Sequence, residues 1–322
     1  MHHHGRGHLA RATSICAHLR EPVTILSSLA IEAQPGVQTV LLPRDDDGES
    51  FPDADANGAL HWVPLHDNGL RHRMAMITEW VSTHRPRVMV VDVSVEVTLL
   101  VRLLGVPVVV VAMPGERTDA PHELAYRVAE HILAAWPESL YEPSWLAPHS
   151  AKTTYVGGIS RFDGRPRSSS PSGRRPGVLV LNGSGGADLD VATVTRCATA
   201  YPEYSWSTLG VAGGPWAEDP WPQLCTADVV VSSAGQSSVA DIAAAGRPAI
   251  IIAAERPFTE QRAMAHALER AGLAVVQPQW PDLADWPRLI DDARALGSDV
   301  WERWRTANAA ARAAALIERV AA

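Results

Sequence analysis

The feature that most constrains the fold is alternation. Short apolar runs of strand length recur along the chain, separated by stretches with apolar residues at helical spacing. Residues 23–29, 39–42, 88–93 and 106–112 read as strands. Between the last two, residues 97–104 read as a short helix closed by Gly105. Residues 124–135 carry a helical apolar pattern that Pro137 stops. Strand, helix and strand in succession predict parallel sheets with helices on both faces.

A composition break then divides the chain. Residues 157–177 hold Arg, Ser, Pro and Gly and almost nothing apolar, which predicts a flexible linker. Alternation restarts with a strand at 178–181, a Gly-rich turn Asn182-Gly-Ser-Gly-Gly186 and a helix at 190–201. Strands at 228–231 and 248–253 flank a helix at 237–245, and Gly272 closes a helix at 260–271. Residues 301–320 are Ala- and Arg-rich and read as one helix to the end. The expected organisation is a first domain at 1–158, a linker at 159–177, a second domain at 178–300 and a final helix at 301–322. Ligands bind open α/β sheets beyond the carboxyl ends of their strands, so two such halves facing each other predict a binding cleft.

Composition excludes several classes. With 46% hydrophobic and 20% charged residues, the chain is not largely disordered. Its 28 basic and 36 acidic residues leave a net charge of −8, a poor match to the basic surface that nucleic-acid binding needs, and no nucleic-acid partner is expected. Cys16, Cys197 and Cys225 form no CxxC pair, so neither a disulfide framework nor a zinc ribbon is expected. A reducing, cytoplasmic setting fits. Asp92, Glu96, Arg102 and Pro107 interrupt the most apolar stretch, short of the ~18 apolar residues of a membrane span. Contact with a membrane surface stays open. Trp136, Trp145, Trp280 and Trp286 are expected in the core or at linker contacts.

The most informative segment is 228–261. A buried strand ends in Ser232-Ser233-Ala234-Gly235, and a helix follows with Ser237 and Ser238 near its start. Glycine lets a backbone approach a phosphate, and a helix start aims amides and a positive dipole end at it. An ordinary Ser-capped helix is the alternative reading of the same residues.

The segment resembles the C-terminal donor-binding domain of two-domain, GT-B-fold glycosyltransferases, closest to family 28 and similar to the macrolide and flavonoid enzymes. That family shows S-x-A-G-x-x-[ST]-x-x-E, then A-x-G-x-P, an apolar strand and a [DQN]-Q pair before a helix. Here stand Ser232-Ser-Ala-Gly235, Ser238, Asp241, Ala245-Gly-Arg-Pro248 and Glu260-Gln261. The resemblance implies an α/β fold of two Rossmann-like domains facing across a cleft, with the last helix crossing back to the first domain. It implies that Ser233, Gly235, Gln236, Ser237 and Ser238 cradle a diphosphate. Asp241 would take ribose hydroxyls, and Glu260 and Gln261 would hold donor-sugar hydroxyls. Asp241 replaces the usual Glu, and Met264 stands where the peptidoglycan enzymes carry Asn. Gly183 and Ser184 match the family's G-G-S-x-G turn, and Trp216 would flank a base-reading loop.

Gly5-Arg-Gly-His8 resembles the G-x-G-H turn that opens the acceptor domain of the same fold. His8 would be the general base of a direct displacement, with Asp92 as the alternative base or as the residue that orients His8. A structural His8 that only binds acceptor or caps the helix is the plainer reading. Gly5, Arg6, Gly7 and Arg11 would contact the acceptor. Glu116 and Arg117, on another carboxyl-end loop, would contact acceptor or close the cleft. A complete strand precedes this turn in the family, whereas Met1-His-His-His4 precedes Gly5 here, and a short strand is expected there.

The expected activity is inverting, metal-independent transfer of a sugar from a nucleotide-diphosphate donor, a UDP sugar by resemblance, to a hydroxyl of a small-molecule or lipid-linked acceptor. The nucleotide sugar is a co-substrate; no separate cofactor and no metal is expected. A nucleotide-sugar hydrolase or epimerase on the same fold and a non-catalytic sugar-nucleotide binding subunit are the alternatives.

Overall fold

The computed structural model describes residues 6–32, 34–48, 50–168, 173–183 and 189–322. The first half runs α1 (Gly7–Cys16), β1 (Val23–Ser27), β2 (Val37–Leu41), α2 (Asn68–His84), β3 (Met89–Asp92), α3 (Val95–Leu103), β4 (Val108–Ala112), α4 (Ala120–Val128), β5 (His131–Ala134) and β6 (Thr153–Tyr155). Among the described residues, β1 pairs with β2, and β3-β4-β5-β6 form a second sheet; every pairing is parallel. The valines of β4 are buried on both faces because helices cover both sides. The expected strand at residues 1–4 lies outside the described residues.

The second half runs β7 (Gly177–Leu181), α5 (Val191–Ala200), β8 (Ser205–Leu209), α6 (Trp221–Thr226), β9 (Val229–Ser232), α7 (Gln236–Ala245), β10 (Ala249–Ile252), α8 (Glu260–Arg270), β11 (Val275–Gln277) and α9 (Trp286–Leu296). Its parallel sheet has the order β11-β10-β9-β7-β8. The chain leaves β7 toward β8 on one side, then returns to β9 on the other. Strand order therefore reverses between β7 and β9, which opens a crevice at their carboxyl ends. Leu181 and Ser232 are register partners, so both strands end at one level there. The fold is thus two Rossmann-like halves, as expected.

Three local expectations differ from the structure. Residues 124–135 are not one helix: α4 ends at Val128, Ala129 turns to extended geometry, and residues 131–134 form β5 between β4 and β6. A short apolar run buried on all sides reads equally as helix or strand. The C-terminal segment is also divided. A 3₁₀ turn at Asp299–Trp304 precedes left-handed Arg305 and Asn308, and α10 (Ala309–Ala321) follows. Trp301 donates to the Arg247 carbonyl in the second half, whereas the alanines of α10 pack with Ile15, Val109 and Leu133 in the first. The break carries the chain from one half to the other. Finally, residues 157–168 are held rather than loose: Phe162 is in the core, Ser160 and Arg161 bind Asp241, and Arg165 pairs with Asp219. Trp136 and Trp286 are fully buried. Among the described residues, no helix is long and apolar enough to cross a membrane.

Candidate active site at the interdomain cleft

The site grows from the strand-order reversal. Val229–Val231 are buried, and β9 delivers Ser233, Ala234 and Gly235 to the crevice. Gly235 is the N-cap of α7 in extended geometry, and no side chain caps the helix start. Gln236, Ser237 and Ser238 form that first turn and are half-buried. Unpaired amides and the positive dipole end make this a place for an anion. Gly183 is exposed just past β7, and a Cβ placed there would meet nothing within 4 Å among the described residues. Trp216 is 53% exposed and lies against Gly210, which itself abuts the Asn182 carbonyl. Ser184 lies outside the described residues.

Gln261 is buried at the start of α8, where its Oε1 accepts from the Ala254 amide at 2.9 Å and the Ala234 amide at 3.2 Å. It ties the ends of β9 and β10 together and leaves only its NH₂ for a ligand. Asp241 is 4% exposed. It accepts from Ser160 at 2.7 Å and Arg161 at 3.1 Å, so both oxygens are engaged. Burial raises its carboxyl to about 6, against the pull of Arg161. A ribose could reach it only by displacing the Ser160–Arg161 segment.

On the opposite wall, α1 begins at Gly7, and Ser237 Oγ donates to the Gly7 carbonyl at 3.2 Å. Arg6 is the exposed N-cap of this helix, and Gly5 lies outside the described residues. His8 Nδ1 sits 2.9 Å from Asp92 Oδ2, at the end of β3, and 3.0 Å from Arg11. Guanidinium only donates, so Nδ1 cannot donate to the carboxylate and also accept from Arg11. The charge-assisted bond to Asp92 assigns the proton to Nδ1, and Nε2 keeps its lone pair. Burial opposes ionisation of Asp92, but Arg11 and then His8 outweigh it and hold the carboxyl well below the usual carboxylate range. Arg11 is 5% exposed and binds Asp92 at 2.6 Å and Gln236 at 2.7 Å, so it joins the two halves.

A second interdomain contact flanks this one. The Glu116 amide donates to the Phe258 carbonyl at 2.8 Å, while the Glu116 side chain is exposed. Phe258 and Thr259 both adopt left-handed geometry just before Glu260. Phe258 packs on His122 and His61 and under the Arg117 guanidinium at 4.9 Å. Arg117 is buried, donates to His122 Nε2 at 2.8 Å and reaches Glu260 at 3.4 Å. Burial raises the Glu260 carboxyl and lowers the Arg117 guanidinium. Burial also pushes the His122 imidazole down to about 4. Asp119 is held at about 2, because bonds from His122 and His61 outweigh its burial. His61, Asp119 and His122 are close enough together to hold a metal. Arg117 argues against it: with a metal on Nδ1, His122 would turn an N–H toward the guanidinium.

His8, Asp92, Arg11 and Glu260 line one cavity with His61, Met113 and Phe258. His61, Asp119, His122 and Phe258 were not foreseen as site residues. Asp119-Ala-Pro-His122 does carry a helix-start signal, an Asp cap with Pro in the first turn. Nothing in the sequence joins it to His61 or Phe258, which lie far off along the chain.

Residues 215–281 match the glycosyltransferase family 28 C-terminal domain. The UDP-N-acetylglucosamine--N-acetylmuramyl-(pentapeptide) pyrophosphoryl-undecaprenol N-acetylglucosamine transferase of Sorangium cellulosum is 32% identical over 242 residues, which is 67% of this chain. The chain spans 57% of that relative's length. Among solved structures, MurG of Acinetobacter baumannii superposes with a TM-score of 0.61 at 15% identity, over 97% of this chain and 96% of that one. Os79 from O. sativa gives 0.69 at 13% identity, over 98% of each chain. These structural likenesses are of fold, and they place the chain's architecture with the two-domain glycosyltransferases. The resemblance to GT-B, family 28-type glycosyltransferases therefore rests on the matched domain, the sequence relative and the architecture together.

Proposed function

We propose that the chain is a glycosyltransferase that moves a sugar from a nucleoside-diphosphate donor to a hydroxyl of an acceptor, with inversion and without a metal. The observation that carries this reading is the uncapped start of α7, at the strand-order reversal, standing against α1 with His8 and Asp92. The diphosphate sits on the first turn of α7, held by amides, Ser237, Ser238 and the Gln236 NH₂. The base lies toward Trp216, and the sugar hydroxyls meet Glu260 and the Gln261 NH₂. A uridine donor is supported by the name of the Sorangium relative. The acceptor, a small molecule or a lipid-linked alcohol, enters along the first half.

His8 Nε2 takes the proton of the acceptor hydroxyl as that oxygen attacks the anomeric carbon from the face opposite the diphosphate. The sugar–phosphate bond breaks, and the diphosphate leaves with the electron pair. Asp92 steadies the imidazolium that forms. Asp92 itself is a poor base here, because Arg11 and His8 keep its charge engaged. The α7 dipole and amides stabilise the leaving diphosphate in the way a cation would. A cytoplasmic location goes with this donor chemistry.

The test begins with a thermal-shift screen of UDP, GDP, dTDP and their sugars. A true donor at 100-fold excess over its dissociation constant stabilises by about 2.7 kcal/mol. His8→Ala then abolishes transfer while donor affinity is kept. Unchanged turnover in that variant would instead support Asp92 as base, and nucleotide-sugar binding with no turnover in the unaltered protein would support a binding subunit. Donor hydrolysis as fast as transfer would support the hydrolase.

A further inference from the structure

We propose that Arg11 is a positioning residue that joins the two halves of the site: one nitrogen anchors Asp92 behind His8, and the other fixes the Gln236 amide so that its NH₂ faces the donor. This rests on the reading above and adds a coupling that the reading does not require.

The geometry is specific. Arg11 Nη2 donates to Asp92 Oδ1 at 2.6 Å, and Nη1 donates to Gln236 Oε1 at 2.7 Å. The two partners are 144 residues apart (236 minus 92) and lie in different halves. Guanidinium has donors only, so it determines which end of an amide can face it. Oε1 must turn to Arg11, and the NH₂ must turn away. That NH₂ is buried with no hydrogen-bond partner among the described residues. A buried donor at a helix start without a partner is costly, and a phosphate oxygen would complete it. Met113 Sδ also lies 3.6 Å from Arg11, and the residue is almost wholly enclosed. Its position is thus set by packing on both sides, as a positioning role demands.

Lysine keeps a cation but has no rigid fork, so Arg11→Lys can pair with Asp92 and cannot hold Gln236 as well. This separates the two functions. UDP affinity is measured by calorimetry, and the slow side hydrolysis of UDP-N-acetylglucosamine, in which water takes the place of the acceptor hydroxyl and receives the sugar, is followed as turnover by UDP release. Loss of a bond between a charged and a neutral group corresponds to about a tenfold weakening or more. The expected result is that Arg11→Lys, Arg11→Met and Gln236→Ala each weaken UDP binding about tenfold, and that Arg11→Met combined with Gln236→Ala weakens it no further. Turnover at saturating donor falls at least about tenfold in Arg11→Met and largely persists in Arg11→Lys. Unfolding midpoints are recorded alongside, and Gln236→Ala keeps the test readable if Arg11→Met folds poorly. Wild-type UDP affinity in Arg11→Lys, or additive losses in the double variant, would overturn the coupling alone. If the unaltered protein bound no nucleotide, the functional reading would fall too.

Discussion

A Cβ placed on Gly115 would stand 2.2 Å from the carbonyl oxygen of Phe258, in the other half of the molecule. The two backbones touch because Glu116 donates to that same oxygen. Gly115 also has φ +103°, outside the range of ordinary L residues.

Gly115→Ala therefore strains the backbone and forces the halves apart. Backbone strain of this kind costs about 1–3 kcal/mol, before any cost from the clash. The expected outcome is a lower unfolding midpoint and a larger radius of gyration in X-ray scattering, since the contact that separates is interdomain.

Gln261 is expected to matter first for stability. Its Oε1 serves two buried amides, those of Ala234 and Ala254. Gln261→Ala leaves both without a partner and is predicted to cost about 2–4 kcal/mol in denaturant unfolding. Gln261→Glu restores an acceptor and is predicted to recover part of that loss, while losing the NH₂ proposed for the donor sugar.

His122 gives a pH dependence with a definite sign. Its imidazole lies at about 4 in the folded chain against 6.5 ordinarily, so the unfolded chain takes up the proton first. The stability it contributes is present above pH 6.5 and is lost as pH falls through about 4. Asp241, raised to about 6, acts in the opposite sense: it favours the folded chain as pH falls from about 6 to 3.8. The useful quantity is accordingly the difference between the unaltered protein and His122→Gln. That difference should shrink between pH 6.5 and pH 4; a constant difference would contradict a neutral, buried His122.

Asp92→Asn tests the orientation of His8. Asparagine can offer its oxygen to only one of Arg11 and His8, so the ring loses its fixed tautomer. Turnover is predicted to fall about 100-fold in steady-state assays, with the donor constant changed much less.

How much of this was legible in the sequence depends on how local the signal is. The segment from β9 through α7 to β10 was readable nearly to the residue, because valines, a small-residue turn, Gly246 and Pro248 mark each boundary in place. That Asp92 orients His8 was one of two roles expected for it beside that of alternative base; the sequence could not choose between them, because the bonds of Asp92 to His8 and Arg11 depend on packing. The merging of residues 124–135 into one helix failed because Ile132 and Leu133 are buried on every side, which hides the period. Arg11 was expected on an acceptor surface, and its bond to Gln236 could not be seen, since interdomain packing leaves no mark on local spacing. The Phe258 contact escaped for the same reason. Asp241 was expected at a ribose because its place in the motif is right; its turn toward Ser160 and Arg161 depends on where the segment after β6 docks.

The central claim is that the first turn of α7 holds the diphosphate of an activated sugar. A crystal structure with UDP bound tests it most directly. Phosphate oxygens are expected within hydrogen-bond distance of the Gln236, Ser237 and Ser238 amides, with the β-phosphate toward His8. Ordered nucleotide seated anywhere else, with that helix start untouched, would contradict it.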